Sequence, residues 1–186
     1  MTTSFREHFK AHRDAVERSV ASLEAATQSA SHALAQAVRS GAKVLTFGNG
    51  GSSAEASHLA EELVGRFKKN RRPFPAMSLS SDSGTVTCIS NDFGYEALFE
   101  RQIEAFVQRG DVAVALTTSG KSENVIRGLR AAKSRGAVTI ALTGSAGLDG
   151  AEADHVLAVP SDDSAIVQEV HLILIHLFCM AVEEIA

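Results

Sequence analysis

The chain has 186 residues, 45 % of them apolar and 22 % charged, a balance that excludes a disordered polypeptide and suits one domain burying roughly 70 % of its unfolded surface. A formal charge of −4 with a pI near 6.0 argues against a nucleic-acid partner, which needs a basic stripe to release counterions from phosphates. Two cysteines, Cys88 and Cys179, stand in no CxxC pattern, and MTTSFREHFKAHRD lacks the apolar stretch of a secretory signal, so a cytoplasmic location is expected.

Residues 3 to 40 contain no glycine or proline and space Phe5, Phe9, Val16, Val20, Leu23, Leu34 and Val38 at intervals near three and four. One or two amphipathic helices are predicted, ended by Gly41. Short β-type runs then alternate with helical ones: KVLTF, a helix near 53–66, PAMSL, a helix near 95–108, VAVALT, a helix near 122–135, AVTIALT, HVLAV, and a C-terminal helix from about 165. Such alternation predicts an α/β fold, a parallel sheet with helices on both faces. The segment SAGLDGAEAD (145–154) reads as a surface loop. The most apolar run, Val170 to Val182, is interrupted by His171 and His176 and is shorter than the ~20 residues that span a bilayer. It reads as a buried helix, with no membrane partner.

The glycine-rich turn Gly48-Asn49-Gly50-Gly51-Ser52-Ser53 follows the first strand. A dinucleotide fingerprint would need a glycine where Ser53 stands and an acid about 20 residues on, which PAMSLSS does not offer. A Walker A loop ending in Gly120-Lys121-Ser122 would need a glycine at Ala115. Neither nucleotide reading survives, so no nucleotide cofactor is expected. Ser52 and Glu55 have the spacing of a capping box, which by itself makes the turn a well-capped helix start. A second hydroxyl-rich turn, Thr117-Thr118-Ser119-Gly120-Lys121-Ser122, also leaves a strand and opens a helix. Two such turns at the carboxyl edge of a parallel sheet suit a single phosphate monoester, held by hydroxyls and helix N–H groups.

His58 and Glu62 lie at i and i+4 on the helix after the first turn, so their side chains share a face. The competing reading pairs Glu62 with Arg66 on a solvated face. The last helix supplies Gln168, His171 and His176 among apolar neighbours, where a buried polar group needs a partner. Gln168 and His176 are eight residues apart, about 12 Å along a straight helix. Joint use of both at one small ligand requires long reach, bending or different subunits.

The segments GNGGSS, SHLAEELVGRF, SNDFGYEALFERQIEAF, TTSGKSENVI and IVQEVHLILIH, in that order, resemble the SIS-domain sugar isomerases, and within them the phosphoheptose (sedoheptulose 7-phosphate) isomerase family. The resemblance covers nearly the whole chain. It implies a single SIS domain over 1–186, with an N-terminal helical segment (1–41) and an α/β core (42–186) built as a three-layer, Rossmann-like sandwich around about five parallel strands. It implies that Asn49, Gly50, Gly51, Ser52, Glu62, Asn91, Asp92, Thr117, Thr118, Ser119, Ser122 and Gln168 contact a phosphorylated seven-carbon sugar. It further implies Glu62 and His176 as the acid–base pair, a zinc ion on His58, Glu62, Gln168 and His176, and a homotetramer with sites at subunit interfaces. The chain departs from one common form of the pattern at Ala165, where some members carry an aspartate; here the nearby acids are Asp162 and Asp163.

The implied reaction moves one proton between C1 and C2 and another between O1 and O2 through an enediol, with Glu62 at carbon and His176 at oxygen. Two rival readings are a non-catalytic SIS protein resembling a replication-initiator-associating factor, and an isomerase of another phosphosugar. The presence of both Glu62 and His176 weighs against the first.

Overall fold

A computed structural model of the protein describes residues 4–150 and 153–185. Ala151 and Glu152 of the expected surface loop lie outside the described residues, as do Met1 to Thr3 of the segment read as lacking a signal.

The N-terminal segment is one helix, α1 (Phe5–Arg39), rather than two. Its start is fixed by a capping box: the Glu7 N–H donates to Ser4 Oγ at 3.3 Å, and the Ser4 N–H donates to Glu7 Oε2 at 2.7 Å. Gly41, at φ +87°, turns the chain into the core. The elements that follow are β1 (Val44–Gly48), α2 (Gly51–Val64), β2 (Ala76–Ser78), α3 (Ser83–Phe93), a 3-10 turn (Tyr95–Ala97), α4 (Leu98–Phe106), β3 (Val112–Thr117), α5 (Glu123–Ser134), β4 (Val138–Thr143), β5 (His155–Ala158) and α6 (Ser164–Ile185). The five strands form one parallel sheet in the order β2-β1-β3-β4-β5.

One expectation is corrected and one helix is added. The helix predicted near 95–108 is a 3-10 turn and a short α4, and a separate α3 precedes it. Residues 83–93 are rich in small and β-branched types, which mask helical periodicity. They are helical because the Asp82 carboxylate accepts from the Gly84 N–H at 3.0 Å at their start, and Gly94 at φ +85° separates them from α4.

The strands read as continuous apolar runs because both faces are covered. In β3, Val112, Val114 and Leu116 join the core beneath α1, α2 and α6. Ala113 and Ala115 point the other way, into the core beneath α4 and α5, following the two-residue alternation of a strand. Their small side chains leave room for the Phe47–Phe99 ring pair, 5.1 Å between centroids.

Helix α6 is longer than the apolar run that announces it. By length and composition alone its 22 residues could cross a membrane, yet half of that window is buried in the protein. Its buried face carries His171 and Glu183 among apolar residues. Near its start, the Glu169 carboxylate takes hydrogen bonds from His8 (2.7 Å) and His12 (2.6 Å), which tie the beginning of α1 to α6.

Candidate active site

The strand order reverses direction between β1 and β3, which makes the crevice at their carboxyl ends the natural ligand position of an open parallel sheet. Both hydroxyl-rich turns open there. In the first, Gly50 adopts φ +56°, ψ −123° as the residue before α2, a conformation that glycine reaches without strain. A Cβ on Gly51 would lie 2.5 Å from the Gln168 amide nitrogen, so the bare backbone lets α6 approach the N-terminus of α2.

The expected capping box at Ser52 and Glu55 does not form. The start of α2 has no side-chain cap; the Ser52 and Ser53 N–H groups donate to the carbonyls of Asn49 and Gly50, each at 3.0 Å, so what the helix offers an anion is chiefly the positive end of its dipole. Glu55 instead points inward, and its Oε2 faces His171 Nδ1 at 3.9 Å.

Asn49 is held rigidly. Its side chain exchanges two 2.9 Å amide hydrogen bonds with Asn124 in the first turn of α5, and its carbonyl oxygen also accepts from the Tyr95 hydroxyl at 2.8 Å. Neither Asn124 nor Tyr95 was singled out from sequence. The available signal was an asparagine beside the start of each of the two helices, α2 and α5, that leave the hydroxyl-rich turns. With Asn124→Ala, Asn49 loses its clamp, and affinity for a phosphate monoester at this crevice is expected to fall about tenfold, read by calorimetric titration.

In the second turn, Thr117 Oγ1 accepts from the Gly120 N–H and Ser119 Oγ from the Lys121 N–H, each at 3.2 Å, while Ser164 Oγ donates to Thr118 Oγ1 at 3.2 Å. Ser122 precedes α5 without using its hydroxyl as a cap. Further hydroxyls gather where β2 ends: Ser57 Oγ lies 3.2 Å from those of Ser78 and Ser81, and Ser80 Oγ donates to the Gly48 carbonyl at 3.1 Å. These serines also went unremarked, although SLSSDS follows the β2 run. Asn91 and Asp92 pair with each other at 2.7 Å on exposed positions of α3 rather than with either turn.

Two helical turns down the α2–α6 seam, His58 Nε2 meets His176 Nε2 at 3.2 Å, and Glu62 Oε1 lies 3.7 Å from the same His58 nitrogen. Glu62 thus faces His58, not Arg66. The Glu61 carboxylate accepts from His58 Nδ1 at 2.8 Å, which in the neutral ring leaves Nε2 bare. Phe67 stacks on His176 with 5.2 Å between ring centroids. Gln168 does not join this group within one chain; it remains two turns away, against Gly51.

Among the described residues, no three His, Cys, Asp or Glu side chains meet as a finished metal cage. The 3.2 Å between the imidazole nitrogens nevertheless matches the spacing of about 3.3 Å between two ligands of a tetrahedral zinc with bonds near 2.0 Å. The donor pair fits the ion, Glu62 stands slightly back, and Gln168 is out of reach.

Burial pushes the Glu55 carboxyl up to about 7. Burial also pushes His171 down to about 4, against the Thr143 carbonyl, which favours the charged ring. Folding therefore moves a proton from imidazole to carboxyl. Glu55 contributes stability present below 4.5 and lost as pH rises through about 7, whereas His171 contributes stability present above 6.5 and lost as pH falls through about 4. Between 4.5 and 6.5 the two trends offset. In Glu55→Gln the histidine trend stands alone, so stability is expected to rise from pH 4 to 6.5 by on the order of 2 kcal/mol more than in the unaltered protein. Urea unfolding across that range measures it.

The SIS domain family matches residues 7–144. The phosphoheptose isomerase of Helicobacter pylori (strain Shi470) is 41 % identical over 182 residues, 96 % of this chain and 93 % of its own. The chain belongs to the phosphoheptose isomerase family. The phosphoheptose isomerase of Aquifex aeolicus (strain VF5) is 53 % identical over 152 residues, 81 % of this chain and 80 % of its own. The solved structure of a phosphoheptose isomerase from Francisella tularensis superposes with a TM-score of 0.93 at 32 % identity, covering 99 % of this chain and all of that one. The matched region holds both hydroxyl-rich turns and the α2 cluster; the Helicobacter and Francisella relatives extend the likeness through α6.

Proposed function

We propose that this protein is an aldose–ketose isomerase converting sedoheptulose 7-phosphate into D-glycero-D-manno-heptose 7-phosphate. The observation that carries this reading is the meeting of His58, Glu62 and His176 across the α2–α6 seam in a chain that aligns with phosphoheptose isomerases along nearly its full length. The phosphate sits on the turns after β1 and β3, at the positive end of the α2 dipole and on the hydroxyls of Ser52, Thr118, Ser119 and Ser122, with Asn49 held in place by Asn124.

Glu62 takes the proton from C1 of the open-chain ketose and returns it to C2. His176 carries the proton of the C1 hydroxyl to the C2 oxygen. One carbon-bound and one oxygen-bound proton have then moved, and the ketose has become an aldose without external oxidant or reductant. Phe67 covers one face of His176 and limits access of water to it. A zinc ion held by His58, Glu62 and His176 would act as a Lewis acid toward the carbonyl. Gln168, about 12 Å from His176 along α6, serves a given site from a neighbouring subunit or binds sugar nearer the first turn.

The oligomer is a homotetramer. Supporting this is an open, mostly apolar groove of about 570 Å3 between α1 and α6, lined by Val20, Leu23, Ile173 and Leu177 among others. Light scattering is expected to give four times the 19.6 kDa chain mass. The free cysteines, Cys88 exposed and Cys179 buried, suit the cytoplasm.

The test incubates the purified, metal-analysed protein with sedoheptulose 7-phosphate in D2O and follows the products by NMR. Aldose bearing deuterium at C2 is expected. Absence of turnover with and without added zinc would overturn the reading.

A further inference from the structure

Among the described residues, polar side chains of α6 meet α2 at three levels of the seam. Gln168 abuts Gly51, Glu55 faces His171, and His58 meets His176. The proposed reaction gives work to the first and the last. The middle contact is left without a role, although it is the most deeply buried: His171 has no exposed surface, and Glu55 Oε2 and His171 Nδ1 both lack a hydrogen-bond partner.

The tautomer of His171 follows from its other nitrogen. Nε2 lies 3.1 Å from the Thr143 carbonyl at the end of β4, and a carbonyl only accepts, so Nε2 carries the proton. In the neutral ring, Nδ1 is then a bare acceptor. An ionised Glu55 would set one acceptor against another, an arrangement that buried polar groups avoid. A carboxylic acid removes the conflict, because its O–H donates to Nδ1 after a small rotation closes the 3.9 Å gap. The upward displacement of the Glu55 carboxyl agrees.

We propose that Glu55, held as a neutral carboxylic acid, and His171 form a positioning pair that locks α6 to α2 and to the end of β4, and so sets the approach of His176 to His58 and Glu62. The pair touches no reacting atom. It lies one turn from His58 and two turns from Glu62 on α2 and rests on the isomerase reading for its effect on activity. Its role is to fix the spacing of proton-transfer groups carried by two different helices, where small displacements slow the chemical step without weakening phosphate binding.

Three measurements test it. Glu55→Leu, which cannot bridge, is expected to lower kcat about tenfold or more with KM changed less than about twofold. Glu55→Gln, which keeps the shape and an N–H donor, is expected to recover most of that loss. In mildly acidic D2O the unaltered protein should show a carboxylic-acid band in the infrared that Glu55→Gln abolishes, and 15N spectra of labelled histidine should show His171 as the Nε2–H tautomer with a hydrogen-bonded Nδ1. Equal kcat losses in the Leu and Gln variants, unchanged kcat in Leu, or absence of the infrared band would each overturn the proposal. If the unaltered protein left sedoheptulose 7-phosphate unconverted, the isomerase reading would fall, while the two spectra would still decide whether the pair exists.

Discussion

Glu62→Gln is expected to lower kcat by about three orders of magnitude, the scale of a lost general base, while the protein folds normally. The amide has the shape of the carboxylate but cannot take the C1 proton. Glu62 sits on α2 with its side chain largely enclosed, its Oε1 3.7 Å from His58 Nε2. The hydroxyl-rich turn proposed to hold the phosphate lies at the other end of α2, so KM should move much less than kcat. The same variant should lose deuterium incorporation at C2, because proton abstraction and exchange are one event. Steady-state kinetics, C2 deuterium by NMR and a thermal melt together check this. A folded Glu62→Gln protein with kcat within tenfold of normal would assign the base to another group.

The second large effect is on stability. Glu183, almost fully buried in the last turns of α6, accepts hydrogen bonds from the N–H groups of Phe67, Lys68 and Lys69, all at 3.1 Å, and faces Arg71 Nε at 3.4 Å. Burial alone would raise its carboxyl. The three N–H donors and the Arg71 guanidinium outweigh that, and the group is held below the usual carboxylate range. Its contribution is therefore present above the ordinary carboxylate value of 4.5 and lost as pH falls through the lowered one. Glu183→Ala strands three N–H groups and a buried guanidinium, and is expected to cost about 3 kcal/mol in chemical denaturation. Because Phe67 stacks on His176, the loosened segment should also reduce kcat. Loss of less than about 1 kcal/mol would show that water replaces the carboxylate readily.

Sequence carried the α/β alternation because strands covered on both faces read as unbroken apolar runs, and VAVALT and AVTIALT could be little else. It also carried the two hydroxyl-rich turns and the His58/Glu62 spacing, since a strand end, a glycine and a helix start are all local features. The family resemblance rested on five ordered segments, and the similarity to phosphoheptose isomerases agrees with it. Helix α3 escaped notice because its residues have weak helical preference and its cap is a single aspartate.

The failure at Glu55 has a different cause. The pattern Ser-x-x-Glu states only that a cap is sterically available; whether the glutamate reaches back to the helix start or turns inward depends on what packs beside it. Here α6 brings His171, from 116 positions further along the chain, against that face of α2. The same packing brings His176 to His58 and keeps Gln168 at Gly51. Local chemistry along the chain thus determined which groups can grip a phosphate and move a proton. Only the docking of α6 on α2 decided which of them meet, because that contact is made by side chains with no sequence neighbourhood in common, and the burial it brings is what raises the Glu55 carboxyl.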